Sequence, residues 1–204
     1  LVDLKDHGIQ IGAFHRLLYS LSPANINQIE GRISNLFDLE KFQLRKMSTT
    51  SISNLITELD SGTPKKMKLA LYIKEQHQIL ILTLKDNPNL ASTKNAPIKE
   101  LYECNTWLLH QEILEADSTI DNGSIRFSHN VEEIISELET SSCQGVILLP
   151  PIKRSVFESI IKKGHRLPPK STYFYPKIPS GIVINMLENK ILPRTEIDLY
   201  ELDE

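Results

Sequence analysis

Residues 145–149, Gly-Val-Ile-Leu-Leu, are apolar without a break, and Pro150-Pro151 end the run at once. A strand that shows water neither face belongs inside a sheet, covered on both sides. The residues around it supply covers. Asn130 with Glu133 three positions later forms a box-like helix start, followed by Val131, Ile134, Ile135 and Leu138 on one face. After the prolines, Ile152, Val156, Phe157, Ile160 and Ile161 mark the buried face of a helix from Ile152 to Lys163, which Gly164 ends. Helix, strand, helix makes a compact unit. The expected class is α/β or α+β, a mixed sheet with helices packed against it.

Earlier in the chain, Gly8 to Phe14 alternates enough to be a strand, with His15-Arg16 at its end. Two basic side chains there are placed to meet an anion; equally, Arg16 pairs with a carboxylate and His15 caps a turn. Ser22-Pro23 reads as an N-cap with proline in the first turn, and Ile26, Ile29, Ile33 and Leu36 carry that helix to about residue 35. Phe37 to Met47 is expected to be a strand, and Ser51 to Leu59 a helix stopped by Gly62 and Pro64. Met67–Ile73 and Gln78–Leu84 form a hairpin signal with His77 at the tip. Asp86 to Pro97 reads as a loop. Ile98 to about Glu115 reads as one long helix, its face built from Ile98, Leu101, Tyr102, Leu108, Leu109 and Ile113, with Trp107 and His110 flanking. A turn at Asp121-Asn122-Gly123 leads to a short strand, Ser124 to Phe127. There is no internal repeat. Residues 1–204 are expected to form a single domain, with residues 1–95 and 96–204 as candidate sub-units.

At 204 residues the chain is long enough for a real core. No apolar run is long enough to cross a bilayer. A net charge of −3 argues against a general nucleic-acid binder, yet the charge is uneven. Residues 152–177 hold seven Lys/Arg against Glu158 alone, whereas residues 188–204 hold six acids against Lys190 and Arg194. The basic segment either attracts an anion or is a solvated helix face. Cys104 and Cys143 have no metal-ligand spacing, so reduced thiols and a cytoplasmic setting are expected.

One stretch concentrates chemistry. Pro168 to Ile184 holds paired prolines, Lys170-Ser171-Thr172, the aromatic triplet Tyr173-Phe174-Tyr175, Pro176-Lys177, Pro179 and Ser180-Gly181. Loops of this kind often carry sites. The phosphate-binding glycine loop, dinucleotide, zinc-protease and serine-hydrolase motifs are all absent. What stands is a donor set suited to phosphate or carboxylate: lysines as point charges, hydroxyls as donors, tyrosines for stacking. The candidate anion site is His15, Arg16, Lys170, Ser171, Thr172, Tyr175 and Lys177. Against it stands a proline-braced loop whose aromatic side chains merely cover the core. No metal ligand set is evident.

Residues 145–184 as a whole resemble the C-terminal signature of a bacterial and archaeal family catalogued as domain of unknown function 1015. Gly164, Pro168 to Lys177 and Ser180-Gly181 carry the match. Residues 6–18 resemble that family's Asp-x-Gly-Leu-x-Ile-x-x-x-His-Arg segment through Asp6, Gly8, Ile9, Ile11, His15 and Arg16. Longer members bear an upstream Asp-Gly-His-His-Arg motif like that of ParB/sulfiredoxin-like domains, which this chain lacks. The resemblance therefore implies the C-terminal portion of a longer protein, or a member that has lost the catalytic half. It implies further that the chain is half of a phosphoryl-transfer enzyme, a kinase or phosphotransferase when joined to its upstream half. Serine or phosphoserine would then be the ligands, with ATP or ADP and magnesium. On this view the partners are a small phosphorylated ligand, the upstream half and a second copy in a homodimer; membrane and nucleic acid are disfavoured. Two alternatives stand beside it: a noncatalytic structural or dimerisation domain, and a ParB-like DNA-associated protein, which would show steep salt dependence.

Overall fold

A computed structural model describes residues 8–44, 46–61, 66–88, 97–114, 122–140 and 142–177. The expected helix stop at Gly62 and Pro64, most of the loop before Pro97, the segment from Pro179 to Ile184 and the acidic tail lie outside these residues. The elements are β1 (Gln10–Gly12), β2 (His15–Tyr19), α1 (Pro23–Leu36), β3 (Phe37–Gln43), α2 (Thr49–Ser61), β4 (Lys68–Ile73), β5 (Gln78–Leu84), α3 (Asn105–Leu108), β6 (Ile125–Ser128), α4 (Val131–Thr140), β7 (Cys143–Leu148), α5 (Arg154–Lys162) and β8 (Tyr173–Tyr175).

Six strands form one sheet in the order β3-β5-β4-β7-β2-β6, and β1 pairs with β8 in a separate two-stranded ribbon. Every pairing among the described residues is antiparallel. With helices packed on the sheet, the fold is α+β. The sheet interleaves strands from both halves of the chain, since β2 lies between β7 and β6.

The apolar run is interior, as its composition requires: β7 lies between β4 and β2. Alternation along the central strands splits the core in two. Leu18, Leu71, Leu82 and Ile147 meet Ile29 and Ile33 of α1, Leu108 of α3 and Ile160 of α5 on one face. Leu17, Tyr19, Ala70 and Val146 meet Ile52 and Leu59 of α2 and Ile134 and Leu138 of α4 on the other. Burying each of these Leu, Ile and Val side chains stabilises the fold by roughly 1.5–3 kcal/mol.

Local signals explain the helix starts. Ser22 Oγ accepts from Asn25 N at 3.1 Å while Asn25 Oδ1 accepts from Ser22 N at 3.1 Å, a reciprocal box with Pro23 inside it. At α4, Asn130 Oδ1 accepts from Glu133 N at 2.9 Å. The Glu133 carboxylate bonds Ser128 Oγ, and that hydroxyl also accepts from Asn130 N at 3.1 Å. Gly164 ends α5 at φ +75°, where a β-carbon is strained.

Two expectations need correction. His15-Arg16 does not close the first strand. That strand is only Gln10–Gly12; Ala13 and Phe14 carry the chain across, and His15 opens β2 inside the main sheet. The long helix over residues 98–115 is also not one helix. A 3₁₀ segment, Lys99–Glu103, is followed by Cys104 in extended backbone (φ −93°, ψ 108°), then α3, then a π-type turn at Leu109–Leu114. The segment is buried on nearly all sides from Cys104 to Leu114, including Asn105, Thr106, His110 and Glu112. An element enclosed all round is shaped by its neighbours rather than by its own periodicity. Asn105 Nδ2, for example, is tied to Pro150 O at 2.7 Å.

Candidate functional site

The β1–β8 ribbon brings the two ends of the described chain together, pairing Ile11 with Phe174 and Gly12 with Tyr173. A β-carbon on Gly12 would lie 2.1 Å from Tyr173 Cε1, so glycine is what lets that ring close on β1. Upstream of β8, Ser171 Oγ donates to Pro168 O at 2.6 Å, and Lys170 takes a left-handed φ of +56°. That turn lays Lys170 Nζ 5.2 Å above the Phe14 ring, a cation–π contact. Tyr173 sits 4.4 Å from His129 and edge-on to Phe14 at 5.8 Å, and Phe14 and His129 meet edge-on at 5.2 Å.

These rings wall a cavity of about 760 Å³, a volume suited to a small metabolite or nucleotide. Thr49 and Ser53 of α2 line it, with Asn130, Val131 and Glu132 from the start of α4. Tyr173, Phe174, Tyr175 and Lys177 close the other side. Two helix beginnings therefore line the same space, each bringing the positive end of its dipole there. Hydroxyls, a lysine and aromatic faces meet here, with Glu132 the carboxylate in the wall.

The seven expected site residues separate. Tyr175 and Lys177 line the cavity, whereas Lys170 lies over the Phe14 ring and does not line it. Ser171 is buried and bonded within its own turn, and Thr172 is half-buried beside it. His15 is buried on the α2/α4 side of the sheet, its Nδ1 accepting from Leu149 N at 3.2 Å. Burial first, then the nearby charges of Arg16 and His129, lower its pKa from 6.5 to about 4, so the ring is neutral near pH 7.

Arg16 points to the opposite face with Leu18 and is fully buried. Its Nη1 bonds Phe14 O, its Nη2 lies 3.1 Å from His110 Nε2, and its guanidinium sits 5.0 Å over the Phe127 ring. Guanidinium only donates, so His110 Nε2 accepts and carries no proton. Burial lowers the Arg16 pKa to about 10, and Nε has no hydrogen-bond partner among the described residues. The carboxylate partner considered from the sequence is not among its described contacts. A buried cation without one is expensive. Arg16→Met removes the charge but leaves the Phe14 carbonyl and His110 Nε2 without this donor, so it is expected to lower stability by about 1–3 kcal/mol in urea unfolding.

The basic segment is dispersed as well. Lys162 pairs with Glu158 at 2.9 Å, Lys163 with Glu100 at 2.6 Å, and Arg154 Nη2 donates to Ile9 O at 2.9 Å. Phe14, His129, Thr49 and Ser53 were not legible as site residues, because each becomes one only when β8 folds back over the start of β2. Cys104 and Cys143 are buried free thiols, and burial pushes both pKa values up.

No protein-family model matches the chain, and no curated protein matches it. A solved structure of a conserved hypothetical protein from Pyrococcus furiosus is similar over 87% of this chain, at 12% sequence identity and a TM-score of 0.49. The chain spans 61% of that protein's length. No helix among the described residues is long and apolar enough to cross a membrane.

Proposed function

We propose that the aromatic cavity binds a nucleotide, ATP or ADP, and that the chain is the ligand-binding part of a small-molecule kinase or phosphotransferase of the cytoplasm. The observation that carries this reading is the fold-back of residues 168–177 over Phe14 and His129. It builds one space with ring faces, hydroxyls, two helix beginnings and Lys177. Ring faces suit a base; helix beginnings and lysine suit phosphates. Serine or phosphoserine as the second ligand follows from the resemblance of residues 145–184 to the uncharacterised family named above.

Magnesium fits only as a passenger. Among the described residues no group of three His, Cys, Asp or Glu is placed to hold a metal, and Glu132 is the single carboxylate in the cavity wall. Magnesium is commonly held by one or two carboxylates with phosphates completing the shell. Glu132 with Thr49 and Ser53 would contact an ion that arrives with the nucleotide, which would supply charge neutralisation there.

The test is a melting-temperature screen against ATP, ADP, phosphoserine, serine and inorganic phosphate, with and without magnesium. ATP or ADP is expected to give a saturable rise. Tyr173→Ala should abolish it, and Lys177→Ala should weaken affinity about tenfold. If neither nucleotide raises the melting temperature, this reading fails. If Tyr173→Ala lowers the melting temperature and no ligand shifts it, the fold-back is packing and the domain is a support.

A further inference from the structure

A second cavity, of about 310 Å³, opens at the same end of the sheet, where β5 and β7 finish and β4 begins. It is separate from the aromatic one. Helix α2 touches the first cavity through Ser53 and the second through Leu59, positions about 9 Å apart along a helix axis.

We propose that this second cavity is a binding site for a small anion that carries its own hydroxyl or ammonium group. Lys68 and Lys153 would hold the anionic end, and Asn105 Oδ1 would accept from the donor.

Asn105 is the built part of this site. It is 5% exposed, and its Nδ2 is committed to Pro150 O at 2.7 Å, which orients the amide. Its Oδ1 is buried with no hydrogen-bond partner among the described residues, and the residue lines the cavity. A buried acceptor left unpaired is costly and uncommon in a native fold. An N–H or O–H brought by a ligand removes that cost; a bare anion does not.

The charge comes from elements fixed independently. Lysines 66, 68, 85 and 153 line the space against Asp60, Asp86 and Glu103. Two of the lysines are engaged: Lys66 pairs with Asp86 at 2.8 Å, and Lys85 donates to Ser34 O at 2.7 Å. Lys68 and Lys153 have no ion pair among the described residues, which leaves two cations for a ligand's negative end. Lys153 also stands at the N-cap of α5, a nine-residue helix with no side-chain cap bond, so helix polarity adds to the same pull. The volume sits at the small end of metabolite pockets, which suits a small ester better than a nucleotide.

The test is calorimetric titration of the whole chain with glycerol 3-phosphate, whose donor is a hydroxyl, and with phosphoethanolamine, whose donor is an ammonium. Sulfate is the donor-free comparison. At least one phosphate ester is expected to bind saturably and about tenfold more tightly than sulfate. Lys153→Glu, an exposed position, should weaken that binding by about tenfold or more while the melting temperature holds. Asn105→Leu should bring the favoured ester down to the affinity of sulfate. Lys177→Ala, in the aromatic cavity, should leave the titration unchanged. The proposal is overturned if neither ester binds, if sulfate binds equally well, or if Lys153→Glu binds like the parent. Loss of binding in Lys177→Ala overturns it too, by moving the ligand to the aromatic cavity.

Discussion

Gly145→Ala is expected to destabilise the protein by about 3 kcal/mol, the upper part of the range for overpacking a core. Gly145 sits in β7, paired with Ile73 of β4 and Leu18 of β2. A β-carbon there would lie 2.4 Å from the Tyr72 carbonyl oxygen. The obstacle is backbone in the neighbouring strand, so no rotamer change clears it. Relief requires β4 and β7 to move apart, and both faces of those strands are already packed by helices. For a chain of this size, a loss of about 3 kcal/mol corresponds to roughly 6–12 °C in melting temperature. Circular dichroism melting of Gly145→Ala beside Gly31→Ala measures it, because a β-carbon on Gly31 of α1 meets nothing within 4 Å. Equal melting temperatures for the two variants would mean that the strands yield.

Acid is expected to unfold this protein through His15. In an unfolded chain the imidazole titrates near 6.5, and in the fold near 4. Between those values the unfolded chain binds the extra proton and the folded one does not, so stability rises with pH across that window. The contribution is fully present above pH 6.5 and is lost as pH falls toward 4. The lowering from 6.5 to about 4 corresponds to about 3 kcal/mol in all, of which about 2 kcal/mol is gone at pH 5. The geometry gives the cause. His15 Nδ1 accepts from Leu149 N, so a proton there breaks the bond and buries a charge beside Arg16 and His129. His15→Gln keeps an acceptor and cannot titrate. Urea unfolding at pH 7.5 and pH 5 should show the parent losing about 2 kcal/mol more than the variant. Parallel losses would assign the acid sensitivity to other groups.

The core was readable where one face of an element repeats a pattern. Ile29, Ile33 and Leu36 in α1, and Val156 and Ile160 in α5, are buried as their spacing requires. The strands Lys68–Ile73 and Gln78–Leu84 form the expected hairpin, with the exposed His77 at its tip at φ +50°. Patterning became uninformative where burial is complete. Residues 104–114 show apolar and polar side chains alike because all but the exposed Gln111 are enclosed, and there the backbone departs from a plain helix.

The site divides on the same line. From sequence alone, residues 168–177 stand out as the place where donors, lysines and rings concentrate, and His15-Arg16 as a basic pair near the other end. Local chemistry was enough for that, since composition, proline bracing and periodicity are properties of neighbours in the chain. Which of those residues share a space was decided by pairing across more than 150 positions, as Gly12 meets Tyr173 and β2 enters between β7 and β6. Strand alternation then sent His15 and Arg16 to opposite faces, and both went into the core rather than to a ligand. The same pairing made Phe14 and His129 walls of a cavity. Those outcomes depend on long-range register, and a one-residue slip in register exchanges the faces of every side chain along a strand.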